Sequence, residues 1–198
     1  MRPLLLLALL MLSLNAISQR RPYKSTIGAT ISFPWINNFA YYDHHLAKPA
    51  FKSGFTGITA SAFYKDNKQK INLSLGGLGA IPVPFGPYDA VREDYKQVFS
   101  VFLEGTYHKR IFPRINLIGG IHYMEHEYSY WKPDSTDYDS FTDFTGGLTV
   151  GAEYLFGRKN FSLALFYRPS LITFTGTRKY RHVISLDARI DINIFRKY

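Results

Sequence analysis

The chain has 198 residues, a formal net charge of +9, an aromatic content of 17% and no cysteine. The length favours a single domain, and the absence of cysteine excludes disulfides, thiol catalysis and cysteine-ligated metal sites. Beyond the N-terminal stretch, no apolar run approaches the roughly 20 residues that a transmembrane helix requires.

The N-terminus has the three parts of a secretory signal peptide. Arg2 supplies a positive charge, residues 4–14 are almost entirely apolar, and small residues precede the expected cleavage point. We therefore predict that residues 1–18 are removed and that residues 19–198 form the mature domain. Loss of Arg2 leaves 23 Lys and Arg against 15 Asp and Glu. In an exported protein this excess indicates outer-membrane lipid or lipopolysaccharide phosphates as partners, and no nucleic acid.

Apolar residues then recur at every second position in eight runs. In the last run the even positions from Ile184 to Ile194 are all apolar, and the odd positions from Ser185 to Asn193 are all polar. A period of two predicts a strand with one apolar and one polar face. At about 3.3 Å per residue such a strand is long enough to cross a bilayer at a tilt. The predicted runs cover about 26–33, 56–64, 70–79, 99–108, 115–123, 144–156, 161–168 and 181–198.

The connections between the runs alternate between long and short. Bacterial outer-membrane barrels have short periplasmic turns and longer external loops. The sequence therefore predicts an all-β protein, an eight-stranded antiparallel up-and-down transmembrane β-barrel with four extracellular loops and both termini in the periplasm. Pro34 and Pro169 are expected to end the first and seventh strands. The expected turns are 65–68, 109–113 and 157–160, and the expected loops are 34–52, 81–95, 126–141 and 169–180.

Aromatic residues lie near both ends of the apolar faces. Amphipathic rings are typical of the headgroup level of a membrane, where they form girdles around a barrel. We predict a periplasmic girdle of Tyr64, Tyr107, Tyr154, Phe156 and Tyr198, and an outer girdle of Phe33, Phe99, Tyr123, Phe144 and Tyr167.

The polar faces should fill the inside, because an eight-stranded barrel is about wide enough to hold its own side chains. Opposite charges should pair there, since an unpaired buried charge is costly. We predict a plugged polar interior with no cofactor and no metal. An ion or proton path along the same residues is the alternative interpretation. The expected interior ion network consists of Lys70, Glu104, Glu153, Arg168, Asp187, Arg189 and Asp191.

In strand count, loop alternation and terminal aromatic, residues 24–198 resemble the small eight-stranded outer-membrane β-barrel superfamily, the porin-family barrels of the OmpA transmembrane domain and OmpX type. The resemblance implies the cell outer membrane of a Gram-negative bacterium. It also implies that Tyr198, which replaces the usual terminal Phe, is the recognition end for barrel insertion.

Three candidate chemical sites compete with a structural interpretation. His122 to His126 matches the H-x-x-E-H zinc-protease pattern, but that chemistry needs a helix, and on a strand the two histidines lie about 13 Å apart. Asp134, Asp137 and Asp139 lack the glycine and distal glutamate of an EF-hand loop. His182 falls near the outer rim of the lipid face. We identify no Ser–His pair on a common face, so nucleophilic activation has no visible geometry.

The sequence thus predicts a non-enzymatic outer-membrane barrel with a structural or interaction role, in which the loops can contact a protein partner. Two alternatives stay open: a lipid-modifying enzyme similar to the lipid A deacylases, and an accessory barrel of a secretion or assembly machine similar to the PorT-like proteins. A soluble lipocalin-like barrel, with its apolar face inside, is the alternative at the level of the fold.

Overall fold

The computed structural model describes residues 25–43, 48–66, 68–81, 95–131, 138–156, 160–175 and 180–197. These residues form eight strands, each antiparallel to the next, and the last strand pairs with the first to close a barrel. The predicted fold class is confirmed. The predicted signal peptide 1–18 and Tyr198 lie outside the described residues. The strands are β1 Ser25–Asp43, β2 Lys48–Lys65, β3 Gln69–Ile81, β4 Tyr95–Phe112, β5 Ile115–Trp131, β6 Tyr138–Leu155, β7 Phe161–Thr173 and β8 His182–Lys197.

The two ends of the barrel differ in the connections they carry. The β2–β3, β4–β5 and β6–β7 connections share one end with the start of β1 and the finish of β8, and this end is called the turn end. The other four connections meet at the opposite end, called the loop end. In the described residues, no helix has the length and apolarity needed to cross a membrane.

Successive residues of each strand alternate between the interior and the outer wall. In β4, Phe102 and Glu104 are buried inside the barrel, whereas Val101 and Leu103 are exposed on its outer wall. On this outer wall the apolar side chain of Leu73 is 61% exposed. A continuous apolar wall of this kind is the inverse of a soluble domain, in which the apolar face is covered.

Several strand ends near the loop end differ from the sequence prediction. Residues 34–52 were predicted as a loop, but β1 continues to Asp43 and β2 begins at Lys48. The predicted loop 126–141 is shortened in the same way by β5 and β6, and β7 runs past Pro169 to Thr173. The prediction was wrong because polar outward-facing residues near the loop end break the apolar alternation without breaking the strand.

Pro34 is accommodated by an irregularity in the ladder rather than by a strand end. The β1–β8 register shifts between Pro34 and Ile36, and a bulge removes the need for the N–H that proline lacks. On the side of β1 that faces β2, the side-chain amide of Asn37 donates to the backbone oxygen of Thr56 at 2.7 Å. Thr56 has φ of 121°, so this bond lies beside a locally strained residue.

Two inward-facing glycines lie at register shifts where strands approach closely. A Cβ on Gly28 would collide with the backbone oxygen of Ile192, and a Cβ on Gly147 would collide with that of Pro169. Both positions adjoin a shift in the ladder. Glycine at such points lets a sheet bend into a closed barrel.

Candidate functional site

The interior of the barrel is the candidate site, because it gathers the buried charged side chains of five strands. At the turn end, Lys70 of β3 points across the lumen to β8. Its Nζ lies 2.6 Å from Asp191 Oδ1 and 3.2 Å from the hydroxyl of Thr30. The ammonium also lies 4.5 Å from the centre of the Phe63 ring. Lys70 is therefore held by a charge, a hydroxyl and an aromatic face.

Glu153 of β6 is the most highly bonded carboxylate of the described interior. It accepts hydrogen bonds from the Asn116 amide at 2.7 Å and the Ser162 hydroxyl at 2.8 Å. His108 Nδ1 lies 3.1 Å away and Arg189 Nη1 lies 3.4 Å away. Side chains of four other strands, β4, β5, β7 and β8, thus converge on the buried carboxylate of Glu153.

A second buried pair lies farther toward the loop end. Arg168 Nε of β7 donates to Glu104 Oε2 of β4 at 2.7 Å, across the lumen. The Thr149 hydroxyl donates to the same oxygen at 2.7 Å. The guanidinium of Arg168 also donates to Ser185, and the Ser185 hydroxyl donates to Asp187 at 2.7 Å.

The structure thus brings the seven predicted network residues into one lumen but divides them into local groups. Lys70 pairs with Asp191, Arg189 with Glu153, and Arg168 with Glu104. Asp187 is linked to Arg168 through a hydroxyl rather than through a direct ion pair.

Three interior histidines, His108, His122 and His126, are absent from the predicted network. His108 bonds Glu153 and Asn72, and His122 Nδ1 lies 3.2 Å from the hydroxyl of Thr149. The alternation of the fourth run already placed His108 on the inward face. A network predicted from Lys, Arg, Asp and Glu alone leaves out His108, although the sequence pattern places it inside.

The loop end of the lumen is largely apolar apart from the buried ion pair of Arg181 and Asp143, which differs from the uniformly polar interior that the sequence predicted. Phe39 and Leu78 are 1% and 0% exposed, and the rings of Tyr41 and Tyr128 stack at 5.1 Å. On the outer wall at this level most described residues are polar, with Phe51 an exposed exception, so the strands here have largely the arrangement of a water-soluble sheet. This loop-end core consists of Phe39, Tyr41, Leu78, Ala80, Val98, Phe102, Met124, Tyr128 and Val183.

A Ser–His pair is present on the interior face, contrary to the sequence analysis. Ser100 Oγ lies 2.7 Å from His126 Nδ1, and His126 Nε2 lies 3.2 Å from the Thr145 hydroxyl. The pair was missed because the two residues lie on different strands, β4 and β5, that register places side by side. Ser100 is 0% and His126 is 2% exposed. A substrate therefore has no approach to the hydroxyl, and the pair is a structural hydrogen bond.

The other candidate chemical residues lie apart from one another. His122 and His126 both face inward from β5 but bond different hydroxyls. In the described residues there is no group of three or more His, Cys, Asp or Glu placed to hold a metal ion. Asp134 and Asp137 lie outside the described residues. Asp143 forms an ion pair with Arg181, with Oδ2 and Nη2 2.5 Å apart.

The aromatic residues predicted as girdles all face outward where they are described. Near the turn end Tyr64 is 49% exposed, and near the loop end Phe33 is 46% exposed. The remaining members have the same orientation: Tyr107, Tyr154 and Phe156 toward the turn end, and Phe99, Tyr123, Phe144 and Tyr167 toward the loop end.

His182 lies in a cluster of rings on the outer wall. The centres of the Tyr167 and Tyr180 rings lie 5.4 and 5.5 Å from its imidazole, and Phe51 lies at 6.4 Å. The hydroxyl contact with Tyr167 raises the pKa of Tyr180 to about 12. The described contacts of His182 are thus with rings, which gives it no activated nucleophile.

The sequence matches no family model and no curated protein. Two solved structures of Ail, the attachment invasion locus protein of Yersinia pestis, share the fold. One has a TM-score of 0.55 at 10% identity and covers 85% of this chain and 98% of Ail. The other, in complex with the heparin analogue sucrose octasulfate, has a TM-score of 0.54 at 12% identity and covers 87% and 100%. Neisserial surface protein A has a TM-score of 0.49 at 14% identity, with 87% of this chain and 99% of that chain covered.

Proposed function

We propose that this chain, which has the fold of the small eight-stranded outer-membrane β-barrels, is a non-enzymatic barrel of the cell outer membrane with a structural or interaction role. The observation that carries the proposal is the apolar outer wall between two zones of outward-facing aromatics. In water such a wall would drive association. In a bilayer the wall matches the hydrocarbon, and closure of the sheet satisfies its backbone groups.

The proposed topology is export by the signal peptide, followed by insertion with the turn end in the periplasm. The three turn-end connections and both termini then lie on the periplasmic side, and the four loop-end connections, three of which are longer than any turn-end connection, lie outside. The length asymmetry of the connections supports this orientation.

The interior supports a plug rather than a channel. The three ion pairs lie across the lumen, and the loop-end core lies above them with Phe39, Leu78, Phe102 and Met124 at 0–1% exposure. An ion entering from the turn end would have to separate buried pairs and then cross an apolar layer, and both steps carry a desolvation cost. We therefore favour the plug over the ion or proton path.

The proposed partners are outer-membrane lipids and lipopolysaccharide, with a protein partner at the loops as a further possibility. The β7–β8 connection contains Arg178 and Lys179, and guanidinium and ammonium groups suit phosphate or sulfate oxygens. The sulfated ligand in the Ail complex belongs to Ail. The basic run of this chain is the reason for proposing an anionic surface sugar here.

The membrane proposal is tested by the migration of the membrane fraction on SDS gels with and without boiling. A folded barrel resists SDS until it is heated, so we expect the two samples to migrate differently. Recovery of the protein as a soluble periplasmic species, or identical migration of both samples, would contradict the proposal.

The non-enzymatic proposal is tested separately by mass spectrometry of lipid A from cells with and without the protein. We expect identical acylation patterns. If a change in acylation appeared and was abolished by His182→Ala, the deacylase-like alternative would replace the present proposal. Co-purification of the barrel with a large outer-membrane complex would instead support the accessory-barrel alternative.

A further inference from the structure

The lumen opens to solvent at the turn end beside the β2–β3 turn, and this opening is called the turn-end mouth. The space within it is small, with room for about one water molecule. Positive charge is concentrated on its wall, which also carries three carboxylates. The cations that line it are Lys65, Lys68, Lys70 and Arg110.

Three of these cations face the lumen because side chains alternate along a strand. Phe63 is buried inside β2, so Lys65, two residues farther on, has the same orientation. His108 defines the inward face of β4 in the same way, and therefore that of Arg110. Lys70 is itself buried, and the ladder places it directly opposite Lys65. Like charges at directly opposite positions destabilise a sheet, so this arrangement favours an anion at the mouth.

The carboxylates of the mouth have partners of their own. Asp191 Oδ1 lies 2.6 Å from Lys70 Nζ, so these two charges cancel. Both oxygens of Glu153 are bonded by interior donors, and one of them lies 3.4 Å from Arg189 Nη1. Asp66 also makes an interaction. The buried carboxylates thus balance Lys70 and Arg189 rather than the other cations of the mouth.

Arg110 supplies a hydrogen-bond donor at the mouth. Its Nε atom is buried and makes no hydrogen bond with the described part of the chain. Within that part, no ion pair joins Arg110 or Lys65 to a carboxylate. Buried donors in folded proteins nearly always have an acceptor. A charged donor beside a space of this size therefore indicates an acceptor bound in that space.

We propose that the turn-end mouth binds one chloride ion between the Arg110 guanidinium and the Lys65 ammonium. A halide ion is only slightly larger than a water molecule, whereas a phosphate, a carboxylate ligand or a lipid headgroup exceeds the space. Two cations without a carboxylate partner among the described residues favour an anion over water, and the low-dielectric wall of the barrel strengthens that attraction. The site depends on the barrel fold alone and not on the proposed membrane location. The bound anion completes the charge balance of the interior plug.

Crystals of the wild-type barrel grown in sodium bromide test the site directly. Bromide replaces chloride at halide sites and is located by its anomalous scattering. We expect an anomalous peak inside the turn-end mouth, within hydrogen-bond distance of Arg110 Nε. A mouth that contains water only, or bromide confined to exposed side chains of the outer surface, overturns the proposal.

The affinity of the site is measured by urea unfolding in lipid vesicles at increasing chloride and constant ionic strength, with gluconate as the replacement anion. A ligand that binds only the folded chain raises its stability with concentration. In Arg110→Gln we expect roughly tenfold to hundredfold weaker chloride binding, the usual effect of losing a hydrogen bond to a charged group. The matched control is Lys109→Gln, which removes the same charge from the neighbouring, outward-facing residue. This control should retain the chloride dependence of the wild type.

Equal losses of chloride dependence in the two variants would show attraction by net charge alone and overturn the proposal. A stabilisation by phosphate that Arg110→Gln loses to the same extent would show that the site is not limited to a monatomic anion, with the same consequence. Heat-modifiable migration identifies a variant that has not folded as a barrel, and in that case the bromide experiment on the wild type decides.

Discussion

At the residue scale, the interior carboxylates show how charge is tolerated inside a barrel. Glu104 accepts from Arg168 and Thr149, and Glu153 accepts from several donors on four strands. A buried carboxylate without partners would cost several kcal/mol. Because the donors come from strands far apart in sequence, these groups also fix which strand faces which across the lumen.

Removal of one partner from the Arg168–Glu104 pair should be more damaging than removal of both. We expect Glu104→Ala to lower the free energy of unfolding by about 3–5 kcal/mol, because it leaves the Arg168 guanidinium buried without its carboxylate. The double variant Glu104→Leu/Arg168→Met should recover most of that loss. Urea unfolding in lipid vesicles measures both values. Glu127→Ala, an exposed outward-facing control, should change stability little. Equal stability of Glu104→Ala and this control would contradict the ion-pair argument.

Glycines on the two faces of the wall should differ sharply in their tolerance of a methyl group. A Cβ on Gly147 would meet the backbone oxygen of Pro169 and the ring of His122, whereas a Cβ on Gly119 would meet nothing within 4 Å. We expect Gly147→Ala to destabilise the barrel by at least ~1–3 kcal/mol, the usual cost of overpacking. Gly119→Ala should remain within about 0.5 kcal/mol of wild type. Thermal or urea unfolding of the purified variants checks both; similar stability of the two would show that the close approach at Gly147 relaxes freely.

At the element scale, the β1–β2 hairpin shows which features the sequence predicts and which it does not. The strand number and the face of each residue follow from the period of two, because one face meets apolar surroundings along most of each strand. The extension of β1 past Pro34 does not follow. The bulge changes the phase of the alternation, and Asn38, an outward residue beyond it, is polar. Likewise the alternation places Glu104 inside, but only the barrel register brings it opposite Arg168.

The extension of β1 predicts a pattern of thiol accessibility that a loop would not give. The natural chain has no cysteine, so each introduced thiol is unique. We expect Asn38→Cys to react rapidly with a water-soluble maleimide, because its side chain points outward. Phe39→Cys, at a position 1% exposed inside the loop-end core, should react slowly until the protein is unfolded. Equal rates at the two positions would indicate that residues 38 and 39 do not belong to a two-faced strand.

At the scale of the whole molecule, the polarity of the wall reverses along the barrel axis. Through most of its height the wall is apolar outside and polar inside. Toward the loop end, Asn38, Ser53, Gln97, Glu127 and Thr142 face outward while the loop-end core lies inside. A sheet keeps its apolar face away from water, so the reversal marks the level at which water replaces hydrocarbon on the outside. The strands then extend beyond the bilayer as a small, conventionally packed barrel.

This reversal predicts how the cost of an outward arginine depends on height. Leu103 is 49% exposed in the middle of the apolar wall, so Leu103→Arg should lower the free energy of unfolding in vesicles by about 2–4 kcal/mol, as at a bilayer midplane. Gln97→Arg lies on the outward face of the same strand, three outward positions nearer the loop end, and should cost only about 0–1 kcal/mol. Both variants add one positive charge, so the difference between their free energies of unfolding reports the surroundings of the two positions rather than the added charge. Equal costs in vesicles would place both positions in one environment and would remove the basis for a membrane boundary between them.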